Sequence, residues 1–289
     1  MKNKLEYIVF LSFSIFYNIL GLNLSRKFSY LIAILFYYLI PIRKSTVIEN
    51  LSNAFPEYDK KRIRQIAFNS YRSFAITLAE ILSIPWMSRV DIEKQVNCVN
   101  KKLITDKYKE NKGVILLSAH FGNWEYVAAS VAAQLNIPFS VVVKPQRNPY
   151  VTKWMNKART RWNNQIVPLG LSIRQTYQTL KEKQVVAMVA DQRGPEESIK
   201  VKFFGRKISV HTGPAVLALK TGAPILYGVC VRGEDYYYKT EIVEIAAGDV
   251  KGTQEEKIRE ISQRHMAHLE SYIRQYPEQW LWMHKRWKH

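Results

Sequence analysis

Three short apolar runs, residues 114–117, 139–143 and 185–190, are bracketed by loop residues and separated by helix-like stretches. An unbroken apolar run of that length is the pattern of a strand buried on both faces. Strands that alternate with helices along the chain predict an α/β fold with a mixed, largely parallel central sheet flanked by helices. At 289 residues and 47% hydrophobic, the chain can enclose a large core. Helices are expected over 45–89, with Asp59 as an N-cap and Phe55-Pro56 as a stop. A further helix is expected over 149–163, one from Ser172 to Lys183, and a long amphipathic one over 253–276. Residues 224–232 and 236–245 read as strands joined by a turn at Gly233-Glu234-Asp235.

The first apolar run leads straight into Ser118-Ala119-His120-Phe121-Gly122-Asn123-Trp124-Glu125, where a turn at 118–120 precedes a helix from Trp124. His120 and Glu125 therefore stand at a strand-to-helix corner with four residues between them. The carboxyl ends of parallel strands are where ligands bind in such sheets. An imidazole there can take a proton from an alcohol. A carboxylate on its other nitrogen would fix the tautomer and stabilise the imidazolium, and Glu125 is the expected partner. The bland alternative is an ordinary surface histidine.

Net charge is +19, which calls for an acidic partner: anionic headgroups, an acidic carrier protein or nucleic acid. The two cysteines, Cys98 and Cys230, are too few and too far apart for a disulfide framework or a zinc site. The N-terminus carries two apolar runs, 5–24 and 28–42, flanked by Lys2 and Lys4, Arg26-Lys27 and Arg43-Lys44. They are expected to span a membrane, dip into one leaflet or lie in the interface, the second run alternatively being a core helix. This divides the chain into a membrane anchor, 1–44, and a globular domain, 45–289. Arg159 and Arg161, on the basic helix, are placed to fork onto a phosphate, or to form only a solvated basic face. Asp191-Gln192-Arg193-Gly194 ends another strand. Phe203-Phe204-Gly205 offers an aromatic wall for an acyl groove, or ordinary core packing. The tail at 277–288 sets three tryptophans among basic residues, a mixture suited to a membrane interface or to stacking on nucleic acid bases.

The hexapeptide His120 to Glu125 resembles the His-x4-Asp/Glu box of the glycerolipid and lysophospholipid acyltransferase superfamily. It is most similar to the branch holding the late lauroyl and myristoyl acyltransferases of lipid A synthesis. Arg43 with Val47-Ile48-Glu49-Asn50-Leu51 and Ala54-Phe55-Pro56 resembles that branch after its anchor. Asn148-Pro149 leading to Arg159, Asp191-Gln192, and Phe203-Phe204-Gly205 with Thr212-Gly213-Pro214 resemble its later blocks. The resemblance implies a glycerolipid acyltransferase-like fold and catalytic roles for His120 and Glu125. It implies substrate contacts by Asn123, Arg159, Arg161, Asp191, Gln192, Arg193, Phe203, Phe204 and Gly205. The implied reaction moves a fatty acyl chain from acyl carrier protein or acyl-CoA to a hydroxyl of a lipid A precursor, an anionic glycolipid. It would run at the cytoplasmic face of the inner membrane, with no metal, no cofactor and no nucleic acid partner. Two apolar runs in place of one clear span depart from that pattern. The Phe-Gly-Asn-Trp-Glu segment also resembles branches that acylate mannosyl and other glycolipids.

Two rivals remain on sequence grounds. A non-enzymatic basic protein at a membrane surface or on nucleic acid fits the charge but leaves the His120–Glu125 pair unexplained. A serine hydrolase would need a Gly-x-Ser-x-Gly elbow, which Ser118 does not have.

Overall fold

The computed structural model describes residues 1–169 and 172–287. Four helices come first: α1 (Lys2–Ile34), α2 (Lys44–Ala54), α3 (Lys60–Ser83) and α4 (Arg89–Gln95). Side chains set their starts. Asp59 accepts from the Arg62 N–H at 2.7 Å to cap α3, and a Ser88–Asp91 capping box opens α4. α1 breaks at Gly21, whose φ of 70° and ψ of 161° lie outside any helix. The two apolar runs are thus two segments of one element, but the break is at Gly21 and not at the expected Arg26-Lys27 flank. Arg26 is buried instead, its Nε donating to Glu80 of α3 at 2.7 Å. A charge between two apolar runs has two ways to be satisfied: reaching outward to a polar surface or pairing inward. Here α3 supplies the carboxylate for the second.

The polarity of α1 is inverted relative to a helix on a water-soluble protein. Its buried residues include Ser14, Ser25, Arg26 and Ser29. Leu5, Ile8, Val9, Phe13, Ile15, Phe16, Ile19 and Leu31 are exposed. The stretch Lys2–Leu39 is long and apolar enough to cross a membrane by length and composition.

The remainder alternates strands and helices. In order these are β1 (Val96–Cys98), α5 (Lys102–Lys109), β2 (Val114–Ser118), α6 (Trp124–Leu135), β3 (Phe139–Val143), α7 (Pro149–Arg159), β4 (Gln165–Pro168), α8 (Ser172–Lys181) and β5 (Val185–Val189). There follow β6 (Lys200–Phe203), β7 (Arg206–Ser209), α9 (Gly213–Thr221), β8 (Ile225–Tyr227), β9 (Val231–Arg232), β10 (Tyr238–Thr240), β11 (Val243–Ile245) and α10 (Gln254–Gln275). The main sheet has the order β11-β8-β2-β5-β3-β4 and is parallel except for β11, which matches the expected mixed α/β class. β2 lies near its centre, paired with β5 from Val114↔Val185 to Ser118↔Val189. The two long strands expected over 224–245 are each split. β8 and β11 pair in the main sheet, while β9 and β10 join β1 in a three-stranded one. Gly228 stands at the split, where a Cβ would meet Ile242 Cδ1 at 2.6 Å. β6 and β7 form a hairpin that turns through Phe204 and Gly205, both at positive φ.

Two apolar clusters, one on each face of the main sheet, form the core. One joins α2, α3, α9, α10 and the C-terminal tryptophans, and the other lies under α6 and α7. Cys98 and Cys230 are buried free thiols, as expected from their spacing.

Candidate active site

At the end of β2 the chain makes a tight three-residue turn. The Phe121 N–H donates to the Ala119 carbonyl at 2.7 Å, which swings His120 out of the strand line. The next residue, Gly122, has φ of 54°, and a Cβ there would lie 1.8 Å from the Cys230 carbonyl oxygen, so only glycine fits. Thr77 of α3 donates to the Gly122 carbonyl at 2.8 Å. On the other side, the Gly122 N–H reaches the Gln279 carbonyl at 2.8 Å and the Leu281 N–H reaches the His120 carbonyl at 3.0 Å. The histidine loop is therefore clamped between α3 and the C-terminal segment.

The His120 ring is held by Asp191, not by Glu125. Nδ1 lies 2.7 Å from Asp191 Oδ1, and the His120 backbone N–H donates to Oδ2 at 3.0 Å. Asp191 follows β5, the neighbour of β2, with the β2–β5 ladder extended by the Ala190 N–H to Ser118 carbonyl bond at 3.3 Å. Trp280 completes the set, its Nε1–H donating to Asp191 Oδ2 at 2.8 Å. Burial pushes the Asp191 pKa up, yet the His120 charge and its hydrogen bond, then Trp280 and the His120 backbone N–H, bring it down to about 2. Burial likewise pulls His120 down, and the Asp191 charge, its hydrogen bond and the more distant Glu125 charge override it and raise the imidazole pKa. An ionised Asp191 on Nδ1 puts the proton on that nitrogen and leaves the Nε2 lone pair as a base. Trp124, the first residue of α6, meets the imidazole edge-on at 4.8 Å between ring centroids.

Glu125 instead forks onto Arg159 of α7, accepting from Nε at 2.9 Å and from Nη2 at 2.5 Å. Both side chains are largely buried, and the ion pair raises the Arg159 pKa against the opposing effect of burial. The pair ties α6 to α7 behind the histidine. A carboxylate in the first turn of a helix is also favoured by the helix dipole, which is reason enough for its position.

Other sequence candidates land as follows. Asn123 is fully buried. Its side chain accepts from the Tyr126 N–H at 3.1 Å as the N-cap of α6 and donates to Glu80 Oε2 at 2.9 Å, so it shapes the loop from within. Arg161 is exposed, with its guanidinium over Trp162. Gln192 and Arg193 follow Asp191 at the strand end and are half-buried. Phe203 and Phe204 are buried core residues, packed on each other and against Trp280, Trp287 and Phe55. Gly205 is the hairpin turn. The tryptophan tail was expected at a membrane surface. Trp280 and Trp282 are in fact buried, at 3% and 1% exposure, because the segment docks back onto the histidine loop. Lys288 lies outside the described residues. Trp280 is the neighbour of the His120–Asp191 pair that composition concealed. An indole N–H must find an acceptor when buried, and here it finds the carboxylate that also holds His120.

His120 lines a narrow cleft between α3 and residues 278–281. Ser73, Glu278 and Gln279 are shared with a wider cavity of about 380 Å³. Among the described residues no group of three or more His, Cys, Asp or Glu side chains is placed to hold a metal ion.

A histidine–aspartate pair at adjacent parallel strand ends, with no serine elbow beside it, has the chemistry to take a proton from a hydroxyl. Comparison with known proteins narrows this chemistry. The chain belongs to the bacterial lipid A biosynthesis acyltransferase family, whose profile matches residues 3–289, and it is an acyltransferase. It is similar to the lipid A biosynthesis palmitoleoyltransferase of Escherichia coli K12, 25% identical over 256 residues that cover 85% of this chain and 79% of that protein. It is 24% identical over 250 residues to the lipid A biosynthesis lauroyltransferase of the same strain, with the same coverage of 85% and 79%. The phosphatidylinositol mannoside acyltransferase of Mycolicibacterium smegmatis is 21% identical over 224 residues, 75% of this chain and 71% of that protein.

Proposed function

We propose that the protein transfers a fatty acyl chain from an acyl carrier protein thioester, or acyl-CoA, to a hydroxyl of a lipid A precursor, with His120 as general base. The observation that carries this reading is the 2.7 Å bond between His120 Nδ1 and a buried, ionised Asp191. Asp191 fixes the tautomer and stabilises the imidazolium formed as the acceptor hydroxyl loses its proton. The alkoxide-like oxygen attacks the thioester carbonyl, the C–S bond breaks, and the departing thiolate takes up a proton. The thioester brings its own activation, so base and orientation suffice. General base catalysis supplies roughly 10²–10⁴-fold. Glu125 acts through Arg159 and the field at His120, and Asn123 through the loop.

The anchor reading, residues 1–44 holding the domain 45–289 to the cytoplasmic face of the inner membrane, is supported by the inverted polarity of α1. Lipid covers its exposed Leu, Ile and Phe, and α3 satisfies its polar side. The net charge of +19 would draw both anionic lipid and an acidic carrier to that surface. A second acceptor class, mannosylated inositol lipid, is favoured by the name of the mycobacterial relative.

Purified His120→Ala is expected to keep its melting temperature and lose transfer by about 10³-fold. Near-normal turnover by the variant would sink the assignment of the base. Mass spectrometry of lipids from cells with and without the protein names the acceptor and the chain length.

A further inference from the structure

Beside the histidine cleft lies a cavity of about 380 Å³, lined by Asn69, Arg72 and Ser73 of α3, by Arg232 at the end of β9, by Glu234 of the β9–β10 turn, and by Glu278. The cleft and the cavity share Ser73, Glu278 and Gln279 in their walls, so the two are adjacent. We propose that this cavity is the acceptor headgroup site, and that its ligand is a saccharide carrying a phosphate. The assignment rests on the acyl-transfer reading above and deepens it.

The chemistry of the lining selects that ligand. Arg232 is anchored. Its Nη2 donates to the Ser73 carbonyl at 3.0 Å and to Ser73 Oγ at 2.8 Å, and its Nε donates to the Tyr238 hydroxyl at 2.9 Å. Its Nη1 has no hydrogen-bond partner among the described residues, so one edge of a fixed guanidinium is available to an anion. Arg72 makes no hydrogen bond among the described residues, and its guanidinium lies 5.8 Å from the Tyr30 ring centre. Two arginines on one wall would suit phosphate alone. Opposite charge lines the same cavity, however, in Glu234 and Glu278. Glu278 is half-buried at the junction with the His120 cleft, and among the described residues no hydrogen bond or ion pair engages its carboxylate. A carboxylate that accepts only, next to Asn69 and Ser73, fits the adjacent hydroxyls of a sugar ring. The mixture therefore reads as phosphate on the arginines and sugar hydroxyls on Glu278, with the hydroxyl to be acylated projecting along the cleft to His120.

Position relative to the apolar face agrees. Tyr30, under Arg72, is exposed on α1, and Leu31 beside it is exposed too. The cavity thus opens at the border of the surface assigned to lipid, where a headgroup would arrive with its tails still in the bilayer.

The test uses the full chain in detergent micelles, a fatty acyl carrier protein thioester as donor, and two acceptors: an acylated glucosamine disaccharide bearing phosphate and the same lipid after phosphatase treatment. Glu278→Gln keeps size and removes charge, and Arg72→Met keeps the stem over Tyr30. A charged hydrogen bond is worth enough for about a tenfold effect on KM. Glu278→Gln is expected to raise acceptor KM about tenfold for both lipids. Arg72→Met is expected to raise it about tenfold for the phosphorylated lipid only, with donor KM unmoved in either variant. If both variants keep acceptor KM within twofold while His120→Ala is inactive, the headgroup site is wrong and the base assignment stands. If His120→Ala turns over normally, both fall together.

Discussion

Asp191→Asn is the perturbation that asks most of the proposed mechanism. The Asp191 pKa is held at about 2 against 3.8 for a free carboxylate, a gap worth roughly 2.5 kcal/mol. Burial opposes that gap, so the favourable interactions exceed it, and His120 is the largest of them. Removing the charge therefore withdraws at least that order of stabilisation from the imidazolium formed in the transition state. The rate should fall by roughly 10² from charge alone. It should fall toward roughly 10⁴ where the Asn amide also holds the wrong tautomer. The pH profile moves in a defined direction. In the wild type the raised His120 pKa keeps the imidazolium to higher pH, so the acid limb of kcat lies above that of an unperturbed histidine. Without Asp191, burial dominates, the imidazole pKa drops, and the limb moves to lower pH while the plateau falls. Glu125→Gln is the control. Glu125 raises His120 only through its charge, as the last of the contributors, so the limb should move in the same direction by less. The assay is kcat at saturating acceptor across pH, with circular dichroism to establish folding. A plateau within threefold of wild type, or an acid limb that stays in place, would refute the dyad. The pair also links stability to pH. The Asp191 contribution is full above 3.8 and is lost as pH falls toward about 2.

Two further outcomes follow from the same contacts. Trp280→Phe keeps a ring in the core but removes the N–H on Asp191. It should cost about tenfold in kcat, the worth of one hydrogen bond to a charged group, and turnover equal to wild type would show the indole to be packing alone. Arg26→Met leaves Glu80 buried without its cation and should cost about 3–5 kcal/mol, read as a lowered melting temperature in detergent. Adding Glu80→Gln, which still accepts from Asn123 and Tyr238, should restore part of the loss. A double variant less stable than Arg26→Met would contradict the pairing.

The architecture was legible because local pattern and global fold agree here. The apolar runs at 114–117, 139–143 and 185–190 became β2, β3 and β5 of one parallel sheet, and Asp59 caps α3 as its side chain dictates. His120 was legible as a candidate base because it follows the first run at a strand end. Its partner was misassigned because proximity in sequence stood in for proximity across the sheet. The register holds the correction: Val114↔Val185 to Ser118↔Val189, carried on by two residues, sets His120 opposite Asp191. Both segments run five residues of strand, then alanine, then the polar residue, so aligning the two strand ends would have found the pair. Composition misled at the tail for a related reason. Tryptophan among lysines and arginines is equally the signature of an interface and of a docked segment whose indole N–H groups find buried acceptors. Trp280 and Trp282 both do the second, donating to Asp191 Oδ2 and to the Pro277 carbonyl. Arg26 failed for want of its partner, since Glu80 stands 54 residues away on another helix.

These three misreadings converge on one structural point. The histidine loop has little to hold it from within. Its conformation depends on a glycine at φ of 54° against the Cys230 carbonyl, on Thr77 from α3, and on backbone bonds to Gln279 and Leu281 at the far end of the chain. Asn123, at the other end of the loop, bonds to Glu80, whose second oxygen takes Arg26 of α1. The apolar helix α1 and the C-terminal segment thus brace the same eight-residue corner. In a site where the base must meet a lipid hydroxyl at the bilayer edge, that arrangement has a physical use. On the proposed function, the helix that would set the depth of the protein in the membrane and the segment that would charge the base are joined through the loop that carries His120. Depth and base position would then be fixed by one network of buried hydrogen bonds, so that a lipid entering from the bilayer would meet the imidazole at matching height.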